Sequence, residues 1–205
     1  MSRLPSLKAQ IRQGADLAGR WQGETIVCIA SGPSLTADDV ERVHAAGLVT
    51  IVTNTTFRLC PWADVLYAMD KQWWLTYLDE VEKTFGGTRC TPHLMPHRFK
   101  TAALKSCGFT SYNHSGAGAI SLALHAGAAR VLLLGYDCQH TGGRAHWHAD
   151  HGGRLGNAKT LHRWASAYEA LAARLRKEGV QVWNCTRETA LDWPRMPLEQ
   201  ALACG

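Results

Sequence analysis

The densest group of chemically active side chains lies in a glycine-rich loop at residues 138–156, called here the histidine loop. Five groups within twelve residues can transfer a proton or bind a transition metal. They are His140, His146, His148, Asp150 and His151. Arg144 and Arg154 of the same loop suit the charge of a leaving anion. We interpret it as a substrate loop with one catalytic histidine. A metal held by the histidines and a solvated loop without function are the alternatives.

Residues 146–151 have the spacing HxHxDH, with which metallo-β-lactamase-like hydrolases bind metal ions. In those hydrolases the motif comes early in the chain, and further histidine and aspartate ligands follow over a long stretch. Here fifty-four residues remain after His151, and His162 is the only later histidine. We therefore reject a site of the metallo-β-lactamase type.

Small and hydroxylated residues occur where two helices are expected to begin. One group follows an apolar strand and precedes a helix, whose first N–H groups attract phosphate. It consists of Ser31, Gly32, Pro33 and Ser34. Ser115 and Gly116 precede another predicted helix. We predict that both groups hold a nucleotide. The alternatives are a plain strand-to-helix turn and a plain serine N-cap.

Three further polar residues follow predicted strands. Asn54 could hold a base or a ribose through its amide, although asparagine is also a common turn residue. Asp70 and Asp137 each follow a buried strand, where a carboxylate can bind a metal ion, a ribose hydroxyl or an N–H donor. The alternative for each aspartate is that it caps the loop that follows.

The chain around these residues alternates between apolar strand patterns and amphipathic helix patterns. Strands are predicted at Thr25–Ala30, Leu48–Thr53, Val65–Met69, Cys90–Pro96, Phe109–Tyr112, Arg130–Leu134 and Val180–Trp183. Five helices are predicted. The first begins at a capping box of Thr36 and Asp39 and ends at Gly47, and the second covers Trp73–Phe85. The third has its N-cap at Ser115 and covers Gly116–Ala128, the fourth has the apolar face Leu161–Leu175 and ends at Gly179, and the fifth covers Leu198–Ala203.

This alternation predicts an α/β fold: a Rossmann-like, doubly wound, mostly parallel sheet with helices on both faces. We assign residues 1–205 to a single domain, with an N-terminal extension at residues 1–22 and the histidine loop as its active-site loop. In such sheets ligands bind outside the carboxyl ends of the strands, near the point where the strand order reverses. The candidate residues are therefore expected to converge on one cleft.

The composition agrees with one globular domain, since 46% of the residues are hydrophobic and 19% are charged. Disorder, a coiled coil and a collagen-like chain are excluded. No segment has the apolar length of a membrane span, and the start of the chain lacks the apolar centre of a secretory signal, so we expect a cytoplasmic protein. The seven cysteines form no CxxC pair and are expected to be reduced. The net charge of +5 favours anionic ligands such as phosphates.

Four motifs carry a resemblance over Thr25–Ala203: Gly32-Pro33-Ser34-Leu35, Asn54, Ser115-Gly116 and Gly135-Tyr136-Asp137. In this order they resemble the superfamily that joins Campylobacter-type bacterial sialyltransferases to 6-hydroxymethylpterin diphosphokinase MptE-like proteins, particularly its small phage-encoded members. The resemblance implies a glycosyltransferase that moves a sugar from a nucleotide-activated donor to an acceptor hydroxyl without a cofactor. It implies His151 as catalytic base, with His148 as second choice. In the transferase interpretation we expect Asp137 to orient the donor sugar or ribose.

Other features of the resemblance leave alternatives. The stretch Ala63–Asp70 is closer to the diphosphokinases, which implies a Mg²⁺-dependent pyrophosphokinase whose ion is held by Asp70 and Asp137. A non-catalytic phage protein that binds a nucleotide is the third interpretation. The acceptor is left open and includes nucleic acid; the resemblance implies a homo-oligomer in a phage-infected or lysogenic bacterial host. The tail Asn184–Leu191 is interpreted either as a lid or as a packed end.

Overall fold

A computed structural model describes residues 12–92, 101–104, 109–112, 114–149, 155 and 165–204 of the protein. One sheet contains seven strands: β1 (Thr25–Ile29), β2 (Val49–Thr53), β3 (Val65–Tyr67), β4 (Thr88–Thr91), β5 (Ala102–Ala103), β6 (Arg130–Leu134) and β7 (Gln181–Asn184). The helices that pack on it are α1 (Ala37–Ala46), α2 (Lys71–Thr84), α3 (Ser115–His125), α4 (Ala165–Lys177) and α5 (Leu198–Ala203). A 3₁₀ helix follows β2 at Asn54–Arg58.

All neighbouring strands run parallel, in the order β5-β4-β3-β2-β1-β6-β7. Strands β1 to β5 extend the sheet in one direction, and the chain then returns to place β6 on the other side of β1. Ile26 of β1 is thus paired with Val49 of β2 and with Val131 of β6. The strand order reverses at β1, so the carboxyl ends of β1 and β6 form the switch point of the sheet. The predicted α/β, Rossmann-like fold is confirmed.

Helices cover both faces of the sheet, because successive residues of a buried strand point to opposite sides. On one face Ile26 and Cys28 of β1 pack in a core with residues of α3 and α4. On the other face Val27 and Ile29 pack in a second core with residues of α1, α2 and α5. The sheet is therefore the middle layer of three.

Both predicted ends of α1 are confirmed. The Asp39 amide donates to Thr36 Oγ1 at 3.2 Å, and the Thr36 amide donates to Asp39 Oδ2 at 3.2 Å, which completes the capping box. Gly47 ends the helix in the left-handed conformation, with φ of 64°.

The start of α3 differs from the prediction. His114, not Ser115, is the N-cap, because its Nδ1 accepts a hydrogen bond from the Ala117 amide at 3.3 Å. Ser115 is the first helical residue, and the helix ends at His125 rather than Ala128. Histidine is not among the preferred N-cap residues, so the adjacent serine was the more natural choice from sequence.

The region around β3 and β4 also differs in its boundaries. Strand β3 ends at Tyr67 instead of Met69, and α2 begins at Lys71, before Trp73. Strand β4 begins at Thr88, two residues before the predicted start, and residues 93–96 of that predicted strand lie outside the described residues.

The predicted strand Phe109–Tyr112 is wrong. Tyr112 has a φ of 54°, which is incompatible with extended backbone. The strand that extends this side of the sheet is β5, whose two alanines pair with Cys90 and Thr91. A pair of alanines has no strand pattern of its own, so β5 was not predicted.

None of the helices in the described residues is long and apolar enough to cross a membrane. Six cysteines of the described residues are free thiols: Cys28, Cys60, Cys90, Cys138, Cys185 and Cys204. Burial raises the pKa of the Cys60 thiol to about 12 and that of Cys138 to about 11, so neither is a reactive thiolate near neutral pH.

Candidate functional site

The chain segments that follow β1 and β6 cross in close contact at the switch point. The Gly32 amide donates to the Gly135 carbonyl at 2.8 Å, and a Cβ on Gly32 would overlap both that oxygen and Asp137 Oδ1. Gly135 has a φ of 68°, and a Cβ there would lie 2.5 Å from the Ala30 carbonyl oxygen. Glycine is therefore required at both positions by packing and backbone conformation.

Asp137 is buried at this crossing, with 1% of its surface exposed. Its carboxylate accepts hydrogen bonds from the Ser34 amide at 2.9 Å, from Ser34 Oγ at 2.8 Å and from Thr141 Oγ1 at 2.9 Å. Burial raises the pKa of this carboxyl, although the bonds from Ser34 and Thr141 oppose the shift. In this arrangement Asp137 positions the turn after β1. To bind Mg²⁺, its carboxylate would have to give up hydrogen bonds from Ser34 or Thr141.

The turn Ser31–Ser34 uses its own amides within the protein. The Gly32 amide is bound to Gly135, the Ser34 amide to Asp137, and Pro33 has no N–H. Gly32, Pro33 and Ser34 are buried, and Ser31 alone is partly exposed. The Gly32 and Ser34 amides are thus not free to bind a phosphate, and Ser31 is the one accessible side chain of the predicted phosphate cradle.

Two predicted site residues are joined at the neighbouring strand ends. Ser115 Oγ donates to Asn54 Oδ1 at 3.2 Å and accepts from the Met69 amide at 3.3 Å. Asn54 has a φ of 48°, a left-handed conformation that asparagine tolerates better than most residues. This bridge connects the ends of β2 and β3 to the first turn of α3.

Asp70 lies beside this bridge, directly after Met69. It is exposed and stands at the N-cap position of α2 without a side-chain cap bond. Enough protein surrounds the carboxyl to raise its pKa by desolvation. Asp70 therefore leaves its carboxylate oxygens uninvolved in capping α2.

The histidine loop returns to the end of β1. His146 Nδ1 lies 3.2 Å from Ser31 Oγ, and the Trp147 amide donates to the Ser31 carbonyl at 3.1 Å. The ring of His148 is stacked on that of His146, with 4.9 Å between centroids and an interplanar angle of 11°. Two imidazoles are thereby held together at the switch point.

The hydrogen bond of His148 determines where its ring proton lies in the neutral form. Nδ1 is 2.6 Å from the Ala149 carbonyl oxygen, which can only accept. Nδ1 therefore carries the hydrogen, and Nε2 has the lone pair that can accept a proton.

Other predicted loop residues lie apart from this group or outside the described residues. Thr141 and Arg144 exchange backbone hydrogen bonds at 3.1 Å around Gly142–Gly143, a tight turn that leaves His140 and Arg144 exposed. The structure does not describe Asp150, His151 and Arg154.

The tail Asn184–Leu191 is a packed end in this structure. Thr186 Oγ1 accepts from the Tyr136 amide at 3.0 Å, and Thr189 Oγ1 donates to the Tyr136 carbonyl at 2.6 Å. The Glu188 amide donates to Ser34 Oγ at 3.4 Å. These contacts were missed from sequence, although threonines just after a final strand are a recognisable signal for side-chain to backbone bonding.

The residues that the structure describes contain no group of three or more histidine, cysteine, aspartate or glutamate side chains arranged to hold a metal ion. Comparisons with protein-family models, curated proteins and solved structures gave no match.

Proposed function

We propose that the protein is a nucleotide-dependent transferase that moves a sugar from a nucleotide-activated donor to an acceptor hydroxyl. The observation that carries the proposal is the contact of His146 with Ser31, which holds the histidine loop at the switch point of the sheet. Folds of this kind bind their ligands at that point. A proton acceptor is thus adjacent to the expected nucleotide position.

The first turn of α3 is the better of two helix starts for the donor phosphates. It contains no acidic residue, and its first amides belong to Ser115 and Gly116. Burial lowers the pKa of the His114 cap to about 4, so this cap is neutral near pH 7. The first turn of α1 instead contains Asp38 and Asp39, which repel an anion.

Asn54 and Ser31 would contact the rest of the nucleotide. Because Asn54 Oδ1 accepts from Ser115, its amide nitrogen is oriented by that bond and can donate to a ribose or base. Ser31 is the accessible side chain of the turn after β1. Asp137 supports this surface by holding Ser34 and is a positioning residue in our proposal.

His148 is the described histidine best suited to act as general base. Its Nε2, which the loop buries in this structure, would take the proton of the acceptor hydroxyl while the hydroxyl oxygen forms a bond to the anomeric carbon. The bond from that carbon to the nucleotide phosphate breaks, and the nucleotide leaves with the bonding electrons. Arg144 is exposed on the same loop and would balance this charge together with Arg154. His151, the base implied by the resemblance, is the alternative.

Ligand binding is tested first by thermal shift with CMP, UMP, GDP, ADP, ATP and CMP-sialic acid, each with and without Mg²⁺. A ligand that binds the folded state raises the melting temperature. Stabilisation by a sugar-donor nucleotide without metal supports the proposal. If no nucleotide in the panel stabilises the protein, the nucleotide site is contradicted.

The general base is tested with the nucleotide sugar that binds. His148→Gln should lower release of the nucleotide from its sugar by about a hundredfold, the lower range for loss of a general base. His140→Gln is the matched control, because His140 is an exposed histidine of the same loop. A large loss in His151→Gln with none in His148→Gln would transfer the role to His151.

One observation favours a second candidate, the Mg²⁺-dependent pyrophosphokinase. Asp70 presents an exposed carboxylate beside the bridge between Ser115 and Met69, where an ATP-bound magnesium ion would find an oxygen ligand. This candidate predicts stabilisation by ATP only when Mg²⁺ is present. It also predicts that Asp70→Asn abolishes the stabilisation, whereas the glycosyltransferase predicts binding without metal.

A further inference from the structure

A polar cavity of about 700 Å³ opens at the amino-terminal edge of the sheet, opposite the candidate site. The segments that precede β3 and β4 form one side of it, and residues near the start of the described chain form the other. Two basic and two acidic side chains line it, together with one tryptophan. They are Arg20, Arg89, Asp16, Asp64 and Trp62.

The two arginines of the cavity are not neutralised by its two aspartates. The Arg20 guanidinium lies 5.0 Å from the centroid of the Trp21 ring. Arg89 Nη1 is buried and has no hydrogen-bond acceptor among the described residues, and it lies 3.5 Å from a carboxylate oxygen of Glu82. Glu82 pairs with Arg89 through this one buried nitrogen, so a carboxylate in the cavity would bind the other N–H groups of the guanidinium.

The two aspartates provide the opposite charge. Asp64 Oδ2 accepts from the Thr50 amide at 2.9 Å, which fixes the carboxylate at the cavity wall. Asp16 is exposed and forms no ion pair with a basic side chain of the described residues. Among the described residues, neither arginine of the cavity forms an ion pair with either of its aspartates.

The remaining wall is aromatic and rigid. Trp62 is stacked on His44 with 4.2 Å between ring centroids and an interplanar angle of 10°. Gly87 is packed against the carbonyls of Ala63 and Asp64, so a side chain there would overlap the backbone. The backbone at Gly87 is therefore held close to the segment before β3, on the same cavity lining as the stacked indole ring of Trp62.

We propose that this cavity binds a small zwitterion with an aromatic body, of the class of aromatic α-amino acids. The ligand carboxylate binds Arg89 and Arg20, its ammonium group binds Asp16 and Asp64, and its ring lies against Trp62. The volume is within the range of small-molecule sites. Because the cavity is at the opposite edge of the sheet, the inference does not depend on the proposed transferase activity.

The test is isothermal titration of the full chain with three probes that share a phenyl ring: L-phenylalanine, 2-phenylethylamine and 3-phenylpropionate. We expect L-phenylalanine to bind about tenfold more tightly than either single-charge probe, because only the zwitterion satisfies both charge pairs. Equal affinities for the three probes, or no heat with L-phenylalanine at millimolar concentration, would overturn the proposal.

Two variants assign the charges. Arg89→Met should weaken L-phenylalanine and 3-phenylpropionate but not 2-phenylethylamine, and Asp16→Asn should weaken L-phenylalanine and 2-phenylethylamine but not 3-phenylpropionate. Arg58→Met removes an exposed arginine outside the cavity and should change none of them. Asp16 is exposed, so its variant remains informative if Arg89→Met does not fold. Unchanged L-phenylalanine affinity in folded Asp16→Asn would refute the assignment.

Discussion

Asp39, in the first turn of α1, forms a two-pronged ion pair with Arg187, which lies 148 positions later in the sequence. The distances are 2.9 Å from Nε and 2.8 Å from one terminal nitrogen. Asp39 is 5% exposed and also belongs to the capping box. The pair therefore joins the tail after β7 to the helix that follows the switch-point turn.

Loss of this pair should lower stability. Arg187→Met leaves the buried Asp39 carboxylate with only its contacts to Thr36, so we expect the free energy of unfolding at pH 7 to fall by about 1 to 2 kcal/mol. Urea denaturation measures it. Arg42→Met is the matched control, because Arg42 pairs with two exposed carboxylates and should cost less than about 1 kcal/mol. Equal losses of unfolding free energy in the two variants would show that the burial of Asp39 does not strengthen its ion pair.

The same pair predicts a response to acid. Burial alone would raise the pKa of Asp39, but hydrogen bonds from Arg187 and Thr36 lower it below its ordinary value of 3.8. A lowered folded-state pKa gives stability that is present above pH 3.8 and is lost as the pH falls through the folded value. Arg187→Met should therefore unfold at a higher pH in an acid titration followed by circular dichroism. An unchanged midpoint would contradict the assigned cause.

His114 predicts a second pH effect. Burial lowers the pKa of its imidazole from 6.5 to about 4, so between these values the unfolded chain binds more protons than the folded protein. Stability from this group should thus rise with pH between about 4 and 6.5. In His114→Asn, which keeps an N-cap oxygen but does not titrate, unfolding free energies at pH 4.5 and pH 7 should differ less than in the natural protein. His140→Asn, at an exposed position, should leave that difference unchanged.

Gly32 should be intolerant of any side chain. In Gly32→Ala the new methyl group overlaps Gly135 and Asp137 at the crossing, so we expect a loss of about 3 kcal/mol or a failure to fold. Gly86→Ala is the control, because a Cβ there meets no atom within 4 Å and Gly86 has no positive φ. It should be neutral or slightly stabilising, and thermal melting compares the two. Equal melting temperatures would mean that the crossing is looser than described.

Ser31 should hold the histidine loop. In Ser31→Ala the bond to His146 is lost while the backbone bond from Trp147 to the Ser31 carbonyl remains. We expect faster hydrogen exchange at residues 144–149 with a stability loss of about 1 kcal/mol or less. Thr76→Ala removes an exposed hydroxyl on α2 and should leave exchange in the loop unchanged. Unaltered hydrogen-exchange protection of the loop in Ser31→Ala would show that the Ser31 side chain does not hold it.

Much of the architecture could be predicted from local patterns. β2 at Val49–Thr53 and β6 at Arg130–Leu134 are short apolar runs, and the ends of α1 are specified by Thr36, Asp39 and Gly47. β5 could not be predicted, because its two alanines become a strand only by pairing with β4. The N-cap of α3 was predicted at the wrong residue for a similar reason, because it too depends on tertiary contacts. His114 caps the helix through a ring nitrogen whose position depends on packing against Tyr168.

The candidate site was predicted as a set of residue types at strand ends, and the parallel sheet brings those ends to one edge. What the sequence determined by itself is this set and its order, because the periodicity of strands and helices is a local property of the chain. Only the tertiary structure decided the partners: Asp137 faces Ser34, Ser115 faces Asn54, and His146 faces Ser31 across 115 positions. Such pairings depend on strand order and on the packing of distant segments, which no local pattern contains.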